Sequence, residues 1–227
     1  MKTPARFSAF SAHIGLLRRL DSPAKVQDFL DYGLAYNDSR PDTCFSPLET
    51  LGRRRAHCIE GAMLAAAAFL FHGRRPLLLD LRANPRDDDH VIAPFTERGR
   101  WGAVAMSHFC GLRYREPVYP SYAELARSYF EFYYNSYGEK TLREFSSPLD
   151  ARSLPPDWLY SDKNVFFVAR RLDAQRHFRI IGHASEGGLR RADSLLFEAE
   201  MSGGSRTPLT RRRPRRYSRI GKAHGGR

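Results

Sequence analysis

The stretch CIEGAMLAAAAFLF, Cys58 to Phe71, constrains the fold most. Ile59, Met63, Leu64, Phe69, Leu70 and Phe71 make a helix drawn through it apolar nearly all round. A helix that is apolar all round belongs in the middle of a domain, with other elements covering every face. Its longest apolar run is too short to span a bilayer, so the reading is a core helix and no membrane partner. The chain has 227 residues, 42% of them hydrophobic, which supplies enough apolar mass for one ordinary core.

The elements around this helix follow from caps and periodicity. Ser22 with Pro23, and Ser46 with Pro47, each read as an N-cap followed by a first-turn proline. The first opens a helix with Val26, Phe29 and Leu30 on one face; the second opens a short helix that Gly52 is expected to end. The central helix should stop near Gly73. PLLLDL (76–81), HVIAPF (90–95) and WGAVAM (101–106) read as strands. SYAELARSYFEFYYNSY reads as a helix with Leu125, Tyr129, Phe132 and Tyr133 in its core face and tyrosines at the rim. NVFFVARRL and RHFRII read as a late hairpin. This order gives an α+β fold in which a central buried helix packs on an antiparallel sheet.

The charge is uneven. The net charge is +12, and nine Lys or Arg with no acid lie beyond residue 201, leaving +3 for residues 1–201. The expected organisation is a single domain over 1–201 and a disordered basic tail over 202–227, too poor in apolar residues to order itself. Arginines of that kind suit phosphate contacts, so a nucleic-acid partner is expected through the tail only; a solubilising extension is the plainer alternative. Three cysteines, Cys44, Cys58 and Cys110, make no disulfide framework, and no signal-length apolar stretch opens the chain; both fit a cytoplasmic protein. Nothing in the sequence fixes an oligomeric state or calls for a cofactor.

Cys58 sits where polar chain, RRRAH, turns into the apolar helix. The first N–H groups of a helix lack internal partners and the dipole is positive there, so a thiol at that end tilts towards thiolate. A thiolate nucleophile needs a base near neutrality, and His90, at the start of the second strand after RDDD, is the candidate. Cys58 could instead be a small apolar residue at a helix start, and His90 a polar cap on a strand edge.

SPLETLGRRRAHCIEGAMLAAAAF followed by HVIAPFTERGRWGAVAMS resembles the core of the transglutaminase-like, papain-related cysteine proteins, in particular the bacterial transglutaminase-like cysteine proteinases. The likeness covers roughly residues 40–110. It implies a transglutaminase/papain-like core, Cys58 as nucleophile, His90 as base and a thioester intermediate on a peptide or protein amide substrate, as in a peptidase, amidase, deamidase or acyl transferase. The family's GDCED box is AHCIE here, with Ile59 after the cysteine. The Asp or Asn that orients the histidine should fall at Ala105, which cannot hydrogen-bond; Ser107, on the same strand face, is the expected weak substitute, with Asp88 or Asp89 beside His90 as a further option although adjacent strand residues point to opposite faces. A lost orienting residue lowers the rate of such chemistry, by up to about 10⁴ in serine enzymes, without abolishing it. The alternative is a non-catalytic binding module on the same fold, its tail contacting an anionic partner. His57 reads as structural or as a substrate-side contact, and Trp101 as core. His57 with Cys58, His90, and His108 with Cys110 offer zinc-type ligands, but at spacings that match no closed zinc motif. The acids of RDDD (86–89) read as a solvated turn.

Overall fold

A computed structural model of the chain describes residues 4–203; the expected tail from 202 lies, from 204 onwards, outside the described residues. Seven α-helices run α1 (Ile14–Arg19), α2 (Pro23–Gly33), α3 (Pro47–Arg53), α4 (Cys58–Phe71), α5 (Tyr122–Arg127), α6 (Phe166–Asp173) and α7 (Ser194–Gly203). Nine strands run β1 (Ala35–Tyr36), β2 (Arg55–Ala56), β3 (Leu77–Ala83), β4 (His90–Glu97), β5 (Arg100–Val104), β6 (Arg115–Tyr119), β7 (Leu142–Ser146), β8 (Leu149–Asp150) and β9 (His177–Arg179). Seven of them form an antiparallel sheet in the order β6-β5-β4-β3-β7-β9, with β8 also pairing along β3. β1 and β2 form a separate parallel pair, joining Ala35 to Arg55 and Tyr36 to Ala56. The fold is therefore α+β on an antiparallel sheet, and among the described residues no helix is long and apolar enough to cross a membrane.

The sheet is buried on both faces, and strand alternation shows how. Leu78, Val91, Ala93 and Phe95 point into a core shared with α4, while Leu79, Leu81 and Ile92 point into a second core under α5. Every residue of α4 except Leu70 is buried, as its nearly all-round apolar sequence requires, and Glu60 is buried with them. Side chains such as Met63, Leu64 and Phe69 gain about 1.5–3 kcal/mol each from that burial, before the entropy of ordering them.

Both serine caps form: Ser22 accepts from the Lys25 N–H and Ser46 from the Glu49 N–H, each ahead of a first-turn proline. Three expectations need correction. Gly52 lies inside α3, and Arg54 ends the helix in the left-handed region at φ 54°. The aromatic segment is helical only over α5; a 3-10 turn at Phe130–Phe132 follows, and the chain then turns back through Tyr134 paired with Lys140, with Gly138 at φ 73°. Leu125, Tyr129 and Tyr133 are buried as expected, whereas Phe132 only packs against that core. The expected hairpin strand NVFFVARRL is helix α6. Val165, Val168, Ala169 and Leu172 recur at helical spacing and are all buried, and this period overrides the β preference of Phe-Phe-Val. RHFRII does contribute a strand, β9, but its partner is β7.

Candidate active site

The site lies where the N-terminus of α4 meets the start of β4. Cys58 is the first residue of α4 and His57 its N-cap. Glu60, at the third helical position, reaches back so that its Oε2 accepts the His57 N–H at 3.0 Å. Glu60 is fully buried, and its carboxylate also accepts from Asn37 Nδ2 (2.9 Å), Thr43 Oγ1 (2.7 Å) and the Phe45 N–H (2.9 Å). Four donors on one buried carboxylate fix the segment 37–45 to the helix start. A glutamate three residues past the cap is a sequence signal for this contact, but it says nothing of the other three donors.

Two imidazoles meet the Cys58 sulfur. His57 Nδ1 stands 4.0 Å from Sγ, and His90 hydrogen-bonds the same thiol. The Asp89 carbonyl lies 3.9 Å from Sγ on a third side. Each ring is held from behind by a main-chain carbonyl: His57 Nε2 lies 2.7 Å from Thr43 O, and His90 Nε2 lies 2.9 Å from Leu112 O. A carbonyl has no proton to give, so Nε2 is the protonated nitrogen in both bonds. Nδ1 is then the acceptor of each neutral ring and the atom left for the sulfur. Burial pushes the thiol up, but the hydrogen bonds and charge of His57 and His90 outweigh it and hold Cys58 well below the ordinary thiol range.

Ser107 is not the group behind His90. Its Oγ accepts the Phe109 N–H at 3.1 Å and its carbonyl accepts from Arg113 Nε at 3.0 Å. Ala105 is fully buried in the core that holds Tyr129 and Tyr133, the two rings packed edge-on against His90. Gln27 of α2 takes both main-chain groups of Ala105, at 2.9 and 3.0 Å. The orienting role falls to the Leu112 carbonyl, an acceptor that no side-chain pattern can reveal.

Cys58, 6% exposed, and His90, 5% exposed, both line a cavity of about 130 Å³. One wall is aromatic, from Tyr36, Phe109 and Tyr134; the other is the turn Asp87–Asp89. The RDDD turn is thus half-buried rather than solvated, apart from Arg86. His57 is buried and does not line the cavity. Of the two imidazoles at the sulfur, only His90 lines the cavity.

Of the zinc-type ligands, His57, Cys58 and His90 come together, but His108 and Cys110 do not join them. His108 stacks on Tyr36 with ring centroids 3.7 Å apart and pairs with Asp38, and the Cys110 thiol donates to Glu200. Among the described residues, the group with metal-like proximity is Asp80, Asp89 and Asp173, whose carboxylate oxygens lie within 4.8 Å of one another. It excludes Cys58 and His90, and acidic proximity alone does not make a metal site. Its effect is on stability. Burial first, and then the charge of Asp80, push Asp89 up to about 8. A carboxyl with a raised folded pKa favours the folded state at low pH, and that contribution is lost as pH rises from about 4 through about 8. Asp89→Asn keeps an acceptor for the Ala83 N–H, bonded at 2.8 Å, and removes the charge. Its thermal midpoint at pH 8.5 should exceed that of the wild type, by about 2–4 °C per kcal/mol relieved, with the gain vanishing near pH 4.

Compared with family models and with curated proteins, the chain matches none.

Proposed function

We propose that the chain is a transglutaminase-like thiol enzyme acting on amide bonds of a peptide or protein through Cys58. The observation that carries this reading is a thiol at a helix N-terminus, facing a cavity, bonded to an imidazole whose far nitrogen is fixed by Leu112 O. His90 takes the thiol proton, and the thiolate attacks the carbonyl carbon to form the C–S bond. The positive end of α4 favours the oxyanion that results. As the tetrahedral adduct collapses the C–N bond breaks, and His90 returns its proton to the leaving amine. A thioester remains. Water or an amine then attacks it, His90 removes the proton from that nucleophile, and the C–S bond breaks to regenerate the thiolate.

His57 holds the second imidazole at the sulfur but does not reach the cavity. With a proton on Nδ1 as well, its charge balanced by Glu60 Oε1 3.4 Å from Nε2, it donates to the thiolate, while His90 moves the proton.

Alkylation of Cys58 by iodoacetamide, followed on the Cys58 peptide by mass spectrometry across pH, tests the proposal. The expected half-point lies well below the free-thiol value of about 8.5. A half-point at that value, with slow labelling throughout, would leave a binding module on this scaffold and no thiol catalyst.

A further inference from the structure

The carbonyl that orients His90 belongs to a short 3-10 turn, Cys110–Leu112, and what holds that turn is informative. Local contacts hold it from one side. Ser107 Oγ caps the Phe109 N–H, Arg115 Nη2 donates to Gly111 O at 2.6 Å, and Tyr129 Oη donates to Arg113 O at 2.9 Å. The remaining contact comes from the far end of the chain. Glu200 of α7 accepts the Gly111 N–H at 2.8 Å and the Cys110 thiol at 3.1 Å, both on Oε1. Glu200 is only 3% exposed, and its Oε2 is buried with no hydrogen-bond partner among the described residues. A buried carboxylate with one bare oxygen is costly, so its place here is not explained by stability. α7 also meets the cavity wall: Phe197 packs on Tyr134 with ring centroids 5.8 Å apart, and Tyr134 Oη donates to Leu196 O.

We infer that Glu200 is a positioning residue: by anchoring the Gly111 amide it sets the Leu112 carbonyl, and through it the tautomer and direction of the His90 ring. This rests on the reading of Cys58 and His90 as nucleophile and base. It makes α7, which contributes no group to the chemistry, a required part of the site. The acceptor is a charged oxygen on a main-chain N–H, the stronger kind of hydrogen bond. The adjoining residue cannot take over the task, because Gly111 packs so closely on Phe132 that a Cβ would stand 2.6 Å from that ring. The turn has no slack on that side, and Glu200 closes it on the other.

The test uses the full chain with Glu200→Gln, Glu200→Asp and Glu200→Ala, reading the pH profile of Cys58 alkylation beside the thermal midpoint. Glutamine keeps an oxygen at Oε1 and should retain the wild-type half-point. Aspartate withdraws the oxygen by one methylene and should raise the half-point part of the way towards about 8.5. Alanine should raise it furthest and slow labelling at pH 6.5 by about tenfold, the loss that one unit of thiol pKa brings. A wild-type half-point in folded Glu200→Ala or Glu200→Asp overturns the inference and leaves the Cys58 reading standing. Loss of fold in both also overturns it, in favour of a purely structural role. An ordinary half-point in the wild-type chain itself sinks the Cys58 reading instead.

Discussion

Glu60→Ala should destabilise the protein by about 3–5 kcal/mol, measured by denaturant unfolding, and at that size it is the largest stability effect expected of one substitution here. The reason is the number of groups it strands. Asn37 Nδ2, Thr43 Oγ1 and the N–H groups of Phe45 and His57 all give a hydrogen bond to this one carboxylate, which is 0% exposed. Each buried donor left without a partner costs about 1–3 kcal/mol, and water can reach only some of them through a cavity the size of a truncated side chain. Glu60→Gln should cost less, since its amide oxygen still accepts from part of the set. Because His57 loses its main-chain partner, Glu60→Ala should also blunt the reactivity of Cys58 in whatever fraction remains folded. A loss below about 1 kcal/mol would mean that the carboxylate is replaced by water and is not the hub its geometry describes.

On the proposed reading, His90→Ala should have the largest effect on chemistry, a fall of about 10²–10⁴ in turnover of any amide substrate found for the protein. It should also raise the alkylation half-point of Cys58, because one of the two imidazoles that hold the thiol low is gone. His57→Ala separates the two duties. It too removes an imidazole from the sulfur and should raise the half-point, but it leaves the ring that faces the cavity, so the fall in turnover should be the smaller of the two. If His57→Ala proves the more damaging variant while remaining folded, the assignment of the proton carrier to His90 is wrong.

The sequence reveals α4 and the two serine-capped helices because each rests on a local rule: uniform apolarity for α4, a hydroxyl oxygen followed by proline for α2 and α3. The strands β3, β4 and β5 are visible as short apolar runs between turns. α6 was open to the same reasoning, since Val165, Val168, Ala169 and Leu172 mark one helical face, but the local β preference of Phe166, Phe167 and Val168 points the other way. The ends of the aromatic segment were harder, because what stops α5 is a return turn through Gly138 that pairs Tyr134 with Lys140. At the site, the sequence points to Cys58 and His90 as types of residue in types of position. It could not supply the acceptor behind His90. Ser107 was a reasonable choice among side chains, but the acceptor is a carbonyl, and every residue has one. Glu200 was out of reach for a different cause: it lies 89 residues from Gly111 and carries no motif.

The small parallel pair β1–β2 bears on recognition. It joins Tyr36 to Ala56, two residues before Cys58, and the Asn37 N–H to Ala56 O at 2.9 Å extends the seam. Tyr36 and Cys58 both line the cavity, and this seam ties the segment that carries the one to the segment that carries the other. Because main-chain bonds and not side chains make this seam, substitutions along 38–42 leave it in place.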